Sequence, residues 1–331
     1  MYKRVGKKVI FDKKKIKLYS AIGPRATFGL VSIDIVKQNS NLFIVTADVS
    51  TSAGLDRFRK NYPENYIDVG IAEQNMIGVA AGLSSEGHNV ITTTFSPFQV
   101  LRCCEQIKVN LGYMKEKISM VGLASGLVLG TLGFTHCSIE DIGVLRSIPN
   151  LSIVSPADSL ETAKAIIASI NHNESTYIRL TGGTNNPIVY EEDYEFKIGK
   201  SIKLRSGKDI TIFASGAMVN NALKISDSLE KENIKSTVIN MHTIKPIDNN
   251  SINEACKNSK LIVTLEEHNI IGGLGSAIAE VKSSIANAPK QLFFGVNDYY
   301  EKGGEYNYLK TKYNLNIEFV SRKIIDEFGK I

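Results

Sequence analysis

Glu73 is the residue whose type and surroundings best suit it to chemistry. It lies in the run Asp68-Val69-Gly70-Ile71-Ala72-Glu73-Gln74-Asn75, ahead of the small apolar residues Gly78, Ala80, Ala81 and Gly82. Small side chains let another backbone approach closely, and a carboxylate among them is poorly solvated. That setting suits a group that exchanges a proton with a bound base. A plain structural role competes, because an acidic residue at a helix N-terminus offsets the macrodipole and need do nothing more. Further candidates stand where apolar runs end. Open parallel sheets bind ligands beyond the carboxyl ends of their strands, which nominates Asp48, Phe95, Ala124 and Ser155. Phe95 would either stack on a flat ligand in a dry pocket or fill a strand end.

The elements that must carry these residues alternate. A turn at Gly23-Pro24-Arg25 leads into a predicted helix over 27–38. Continuous apolar runs at 41–47, 90–95, 118–123, 151–154 and 177–180 read as strands covered on both faces. Helical segments at 72–85, 97–111, 138–147 and 158–171 fall between them, the pattern of a doubly wound α/β domain. The texture then turns to Gly, Asn, Pro and acidic residues, with a linker placed at 186–200. A second α/β unit follows, with strands at 210–214, 237–241, 261–265 and 291–295 and helices near 218–232, 248–257, 275–286 and 305–313. The expected division is a basic arm at 1–20, a first domain at 21–185 and a second at 201–331.

With 331 residues, 43% hydrophobic and 22% charged, the chain has the composition of an ordinary soluble globular protein. It shows neither a membrane-length apolar run nor a signal-like start, so a cytoplasmic location is expected and no membrane partner. The net charge of +5 is uneven. Lys3, Arg4, Lys7, Lys8, Lys13, Lys14, Lys15 and Lys17 stand against Asp12 alone in the first twenty residues. A nucleic-acid protein would spread its cations over a binding face with aromatics between them. Confined to one arm, they read as a solvated tail, and no nucleic acid is expected. Cys103, Cys104, Cys137 and Cys256 have neither metal-ligand nor disulfide spacing.

The string from Asp68 to Ser84, DVGIAEQNMIGVAAGLS, resembles the pyrimidine-binding segment of transketolase-like thiamine diphosphate enzymes. The likeness extends from Arg25 to the end of the chain and is closest to the C-terminal half of split transketolases. It implies a pyrimidine-binding fold followed by a transketolase C-terminal domain. Glu73 would then hydrogen-bond a ring nitrogen of the aminopyrimidine and drive ylide formation, with Ile71, Phe95, Phe98 and Asp48 also on the cofactor. The segment Phe134-Thr135-His136-Cys137-Ser138-Ile139-Glu140-Asp141 resembles the family's "THQ…ED" stretch, which makes His136 a catalytic, substrate-facing group. Arg25 and Ser52 match positions that hold substrate phosphate. Arg102 is taken as structural, paired with Glu105 or facing a partner.

Departures and an absence narrow the reading. Leu132, Ala124 and Gly182 stand where relatives carry an Asp, a His and an Arg on the sugar phosphate. No "GDG…N" segment for the diphosphate and its divalent metal occurs, and no metal ligands are expected here. The resemblance therefore implies one subunit of a split enzyme, in an α2β2 assembly with a companion that binds Mg2+ and the diphosphate. Such a pair transfers a two-carbon unit from a ketose-type donor to an aldehyde, on sugars other than the standard pentose phosphates. Two alternatives stay open: the beta subunit of a 2-oxo-acid dehydrogenase, and a non-catalytic regulatory subunit.

Overall fold

The computed structural model describes residues 9–331. The first eight, which carry half of the arm's cations, lie outside them. The first sheet contains β1 Leu42–Thr46, β2 Tyr66–Asp68, β3 Asn89–Phe95, β4 Ile118–Leu123, β5 Leu151–Val154 and β6 Ser175–Arg179. The second contains β7 Ile202–Arg205, β8 Ile210–Ala214, β9 Ser236–Asn240, β11 Leu261–Asn269 and β12 Lys290–Val296. Between β9 and β11, β10 Thr243–Lys245 leaves its own unit and pairs antiparallel with β5. The resulting orders are β10-β5-β6-β4-β3-β1-β2 and β12-β11-β8-β9-β7. Among the described residues, only β10 and β7 run antiparallel to their neighbours. The fold is α/β with mostly parallel sheets, as the buried strands β4, β5 and β6 require.

The solvated arm expected at 1–20 is helix from Lys13 onward. One helix, Lys13–Val36, is capped by the Asp12 carboxylate, which accepts from Lys15 N at 2.7 Å. Ile16 and Tyr19 are buried, while Lys15 pairs with Asp34 at 2.9 Å. The run of lysines hides an amphipathic face: Lys13, Lys14 and Lys17 are exposed while Ile16 and Tyr19 turn inward. Gly23 breaks the helix at φ 80°, and a Cβ there would meet Gly183 O at 2.5 Å. Only glycine permits that turn and that approach.

One further expectation changes. The single helix predicted over 97–111 is divided into Ser96–Val100, Cys104–Gln106 and a π-helical turn Ile107–Tyr113. The Cys103 thiol donates to Phe98 O at 3.2 Å in the interruption. The segment 186–200, where the linker is expected, contains no helix or strand and packs against the first unit. Tyr190 and Tyr194 stack at 4.0 Å, and Tyr194 donates to the buried carboxylate of Glu161 at 2.8 Å.

The two units share a polar core. Arg179, at the end of β6 and 2% exposed, donates through Nε to Asp141 Oδ2 at 2.8 Å. Its Nη2 donates to Ser138 O at 2.9 Å and to Glu267 O, in β11, at 2.7 Å. Tyr177 OH completes the Asp141 carboxylate at 2.8 Å. Removing one member of a fully buried ion pair leaves the other as an uncompensated charge. Arg179→Met is therefore expected to lower stability by about 3–5 kcal/mol in urea unfolding. Asp141→Asn combined with Arg179→Met should cost less than the sum of the two single changes.

Candidate active site

The carboxyl edge of the first sheet brings together residues far apart in the chain. Glu73 begins the helix Glu73–Ser85 and is 3% exposed. Ala80 and Ala81 are buried on that helix, whereas Gly78 and Gly82 face open space, so the close backbone approach expected at the glycines is not found. In the first turn Glu73 points inward while Gln74 and Asn75 are exposed. Arg102 Nη1 donates to Glu73 Oε2 at 2.7 Å, in place of the expected pairing with Glu105. The same guanidinium stacks over the Phe98 ring at 4.3 Å. The interruption of the 97–111 helix is what carries Arg102 to this position. Gln74 then fixes the turn, donating through Nε2 to Arg102 O at 3.1 Å.

From Phe98 the cluster continues without a gap. The His136 ring meets Phe98 edge-on at 5.3 Å and Phe95 at 6.5 Å, and the two phenylalanines meet at 6.5 Å. Phe95 ends β3, and Phe98 lies in the first turn of the helix that follows. Thr135 Oγ1 lies 3.0 Å from His136 Nδ1. A buried carboxylate, two half-buried rings and an imidazole thus form one continuous surface.

Asp48 is held by Asp68, a residue that sequence reasoning missed. The Asp68 carboxylate accepts from Asp48 N at 2.9 Å and Gly70 N at 3.0 Å, which ties the ends of β1 and β2 together. Asp48 is exposed at φ 55°, and Ile71 is 77% exposed. Arg25 and Ser52 meet each other, Arg25 Nη1 donating to Ser52 O at 3.4 Å. Among the described residues neither hydrogen-bonds to Glu73 or His136.

The three departures differ in kind. Leu132 is 56% exposed at the end of a short turn, so its apolar side chain faces outward. Ala124 is 1% exposed at φ 51°, so its side chain belongs to the interior. Gly182 has φ 83°, and a Cβ there would lie 2.9 Å from Asn186 Oδ1. A cation at that position would require a different backbone.

Residues 20–185 match the family model for the transketolase pyrimidine binding domain, and residues 199–303 match that for the transketolase C-terminal domain. The chain belongs to the transketolase family. It is 33% identical to an apulose-4-phosphate transketolase subunit of Phocaeicola vulgatus, over 92% of this chain and 97% of that protein. It is 35% identical to a 6-deoxy-6-sulfo-D-fructose transketolase subunit of Clostridium sp., over 90% of this chain and 92% of that one. A split-gene transketolase solved as an inactive β4 tetramer superposes with a TM-score of 0.84 at 33% identity, covering 93% of this chain and 99% of that chain. The transketolase of Campylobacter jejuni shares the fold at a TM-score of 0.76 and 18% identity; the match covers 92% of this chain and 46% of that one. The chain therefore corresponds to a transketolase-type transferase subunit of a split enzyme and to about half of a single-chain one.

The family depends on thiamine diphosphate, and the donor set fits one half of that group. A carboxylate with aromatic and imidazole neighbours suits a heteroaromatic ring. Among the described residues no group of three His, Cys, Asp or Glu is placed to hold a metal ion. No helix among them is long and apolar enough to cross a membrane.

The Glu73–Arg102 pair is measurable by itself. Glu73 is buried and Arg102 is 43% exposed, so the interaction falls between a surface and an interior ion pair. A double-mutant cycle on Glu73→Gln and Arg102→Gln, read by denaturant unfolding of the chain, should give a coupling of about 1–2 kcal/mol. A coupling near zero would make the contact incidental.

Proposed function

We propose that this chain is the pyrimidine-binding subunit of a two-chain, thiamine-diphosphate-dependent transketolase, and that its partner supplies the rest of the site. The observation that carries the reading is the buried Glu73 carboxylate, joined through Arg102, Phe98 and Phe95 to His136 at one sheet edge. When bound, thiamine diphosphate supplies the carbanion chemistry that breaks and forms carbon–carbon bonds next to a carbonyl. Glu73 holds a proton at a ring nitrogen of the aminopyrimidine and returns it in each cycle. Phe95 and Phe98 flank that ring, and Asp48 and Ile71 border it. His136 donates a hydrogen bond to the reacting oxygen of the substrate. Arg25 and Ser52 hold the far, anionic end of the sugar.

The companion subunit, in an α2β2 assembly, carries the "GDG…N" segment, the Mg2+ and the diphosphate, since a diphosphate needs a hard cation with clustered oxygen ligands. A cytoplasmic location belongs to the same reading. The donor is a ketose and the acceptor an aldehyde. The relatives described above are named for apulose 4-phosphate and for a deoxy-sulfo sugar. Together with the exposed Leu132 and the side-chain-free Gly182, this favours sugars other than the standard pentose phosphates.

Glu73→Gln keeps the shape of the side chain and removes its ionisable proton. In the complex with the companion subunit, proton–deuterium exchange at the thiazolium carbon should fall by about 10²–10⁴-fold. An exchange rate equal to wild type would take Glu73 out of the mechanism. Calorimetry should also show metal-dependent binding of thiamine diphosphate to the complex and not to this chain alone. Tight binding without a companion would overturn the divided site.

A further inference from the structure

The loop 126–138 carries Leu132 near its tip and His136 near its end. Its base is closed by a pair of backbone hydrogen bonds, Gly126 N to Ser138 O at 2.9 Å and Ser138 N to Gly126 O at 3.0 Å. One side of that base is gripped from the second domain and the other by Arg179 of the first sheet. Glu267, buried in β11, accepts from Leu127 N at 2.6 Å through Oε1 and from Tyr306 OH at 2.5 Å through Oε2. The carboxylate lies so close to Gly126, itself at φ 71°, that a Cβ there would overlap it. Arg179 holds the other side, donating to Ser138 O and to Glu267 O from the same nitrogen.

The tip is held by the same domain. Gly304 N donates to Gly130 O at 2.9 Å. The Phe134 ring, two residues before His136, packs at 5.2 Å against Tyr300 and at 6.2 Å against Tyr313. Tyr300 OH donates to Glu140 Oε1 at 2.7 Å, while Glu140 Oε2 accepts from Ile139 N at 3.0 Å. Loops on protein surfaces are mobile unless their backbone groups are satisfied and their apolar side chains packed. Here both conditions are met by residues from β11 onward, more than a hundred positions away.

We propose that Glu267, with Tyr306 behind it, is the positioning residue of the substrate loop, so that the C-terminal domain sets the placement of His136. Glu267 touches neither substrate nor cofactor in this scheme and acts only through Leu127 and Gly126. The chemistry assigned to His136 rests on the function proposed above, whereas the clamp itself rests on geometry alone. A misplacement of about 1 Å at a reacting group can cost about 10²-fold in rate, which gives a remote clamp kinetic weight. Burial raises the proton affinity of the Glu267 carboxyl, and the Tyr306 hydroxyl, Leu127 amide and Arg179 cation oppose that rise. The group is therefore held by several donors at once rather than by one.

Glu267→Leu, Glu267→Gln and Tyr306→Phe separate the possibilities. Gln keeps an acceptor for Leu127 N, and Tyr306→Phe keeps the ring while removing the hydroxyl, so these two variants guard against loss of the fold. In the full chain, amide hydrogen exchange over 126–138 should rise about tenfold in Glu267→Leu, less in Tyr306→Phe, and return toward wild type in Glu267→Gln. Exchange in β4 should stay the same. In the complex with the companion subunit, with hydroxypyruvate as donor and glycolaldehyde as acceptor, kcat/KM should fall about tenfold in Glu267→Leu and less in Tyr306→Phe. Thiazolium proton exchange should remain at the wild-type rate, because Glu73 is untouched. Unchanged amide exchange over 126–138 in both Glu267→Leu and Tyr306→Phe would overturn the clamp. Unchanged kcat/KM in the presence of faster amide exchange, or turnover and thiazolium exchange falling together, would overturn its positioning role. Failure of the underlying function would show differently, as no thiazolium exchange in the wild-type complex while the amide result stands.

Discussion

Arg179 brings a permanent positive charge to the end of β6, where almost no water reaches it, and the surrounding structure is arranged to satisfy it. A guanidinium presents its donors in a rigid fork, and Asp141, Ser138 and Glu267 receive them from three different segments. Asp141 comes from the helix that follows the His136 loop, Ser138 from the loop itself and Glu267 from the other domain. One buried cation thus fixes the relation of the first sheet, the substrate loop and the second sheet. The donation of β10 to the edge of the first sheet acts in the same direction. The two domains are consequently hard to separate. This gives a physical reason for their remaining on one chain.

The parallel sheet explains why the candidate residues converge at all. Side chains within its strands are buried between helices and packed for stability, so chemistry is confined to the carboxyl ends, where backbone groups and loops are free to meet a ligand. Phe95 and Asp68 end β3 and β2, and Asp48 follows β1, which lies between those two strands in the sheet. Glu73 follows β2 by a short turn. The order of the strands, rather than the order of the chain, therefore determines which residues share a surface.

Much of this is legible in the sequence because it is local. The apolar runs of β4, β5 and β8 match their observed bounds, and the string around Glu73 signals a helix, although its glycines Gly78 and Gly82 face open space rather than a neighbouring backbone. What escapes depends on long-range contact. Glu267 reaches Leu127 across 140 positions, and nothing in the local sequence of either marks the pair. Arg102 finds Glu73 only because the helix predicted through 97–111 is interrupted beside it. The N-terminal lysines disguise a helix whose buried residues, Ile16, Tyr19, Gly23 and Thr27, follow helical spacing. Short edge strands such as β10 carry too few residues for a periodic signal, and this one joins the sheet of the other domain.

The Glu73–Arg102 pair places a demand on the proposed function. A carboxylate that is to face an aminopyrimidine must be out of water, yet a chain made apart from its partner must also tolerate that burial before any cofactor arrives. Arg102 meets the second need: its guanidinium neutralises Oε2 at 2.7 Å while its plane rests on Phe98. A ring nitrogen that takes its hydrogen bond from Glu73 must either use Oε1 or displace Arg102. Displacement exchanges one charge-assisted hydrogen bond for another, and the loss is small only if the guanidinium keeps a partner. Its stacking on Phe98 offers one, because a cation over an aromatic face retains part of its stabilisation without the carboxylate. The geometry thus allows the carboxylate to be held by the chain alone and then turned to the ligand, with Phe98 common to both arrangements.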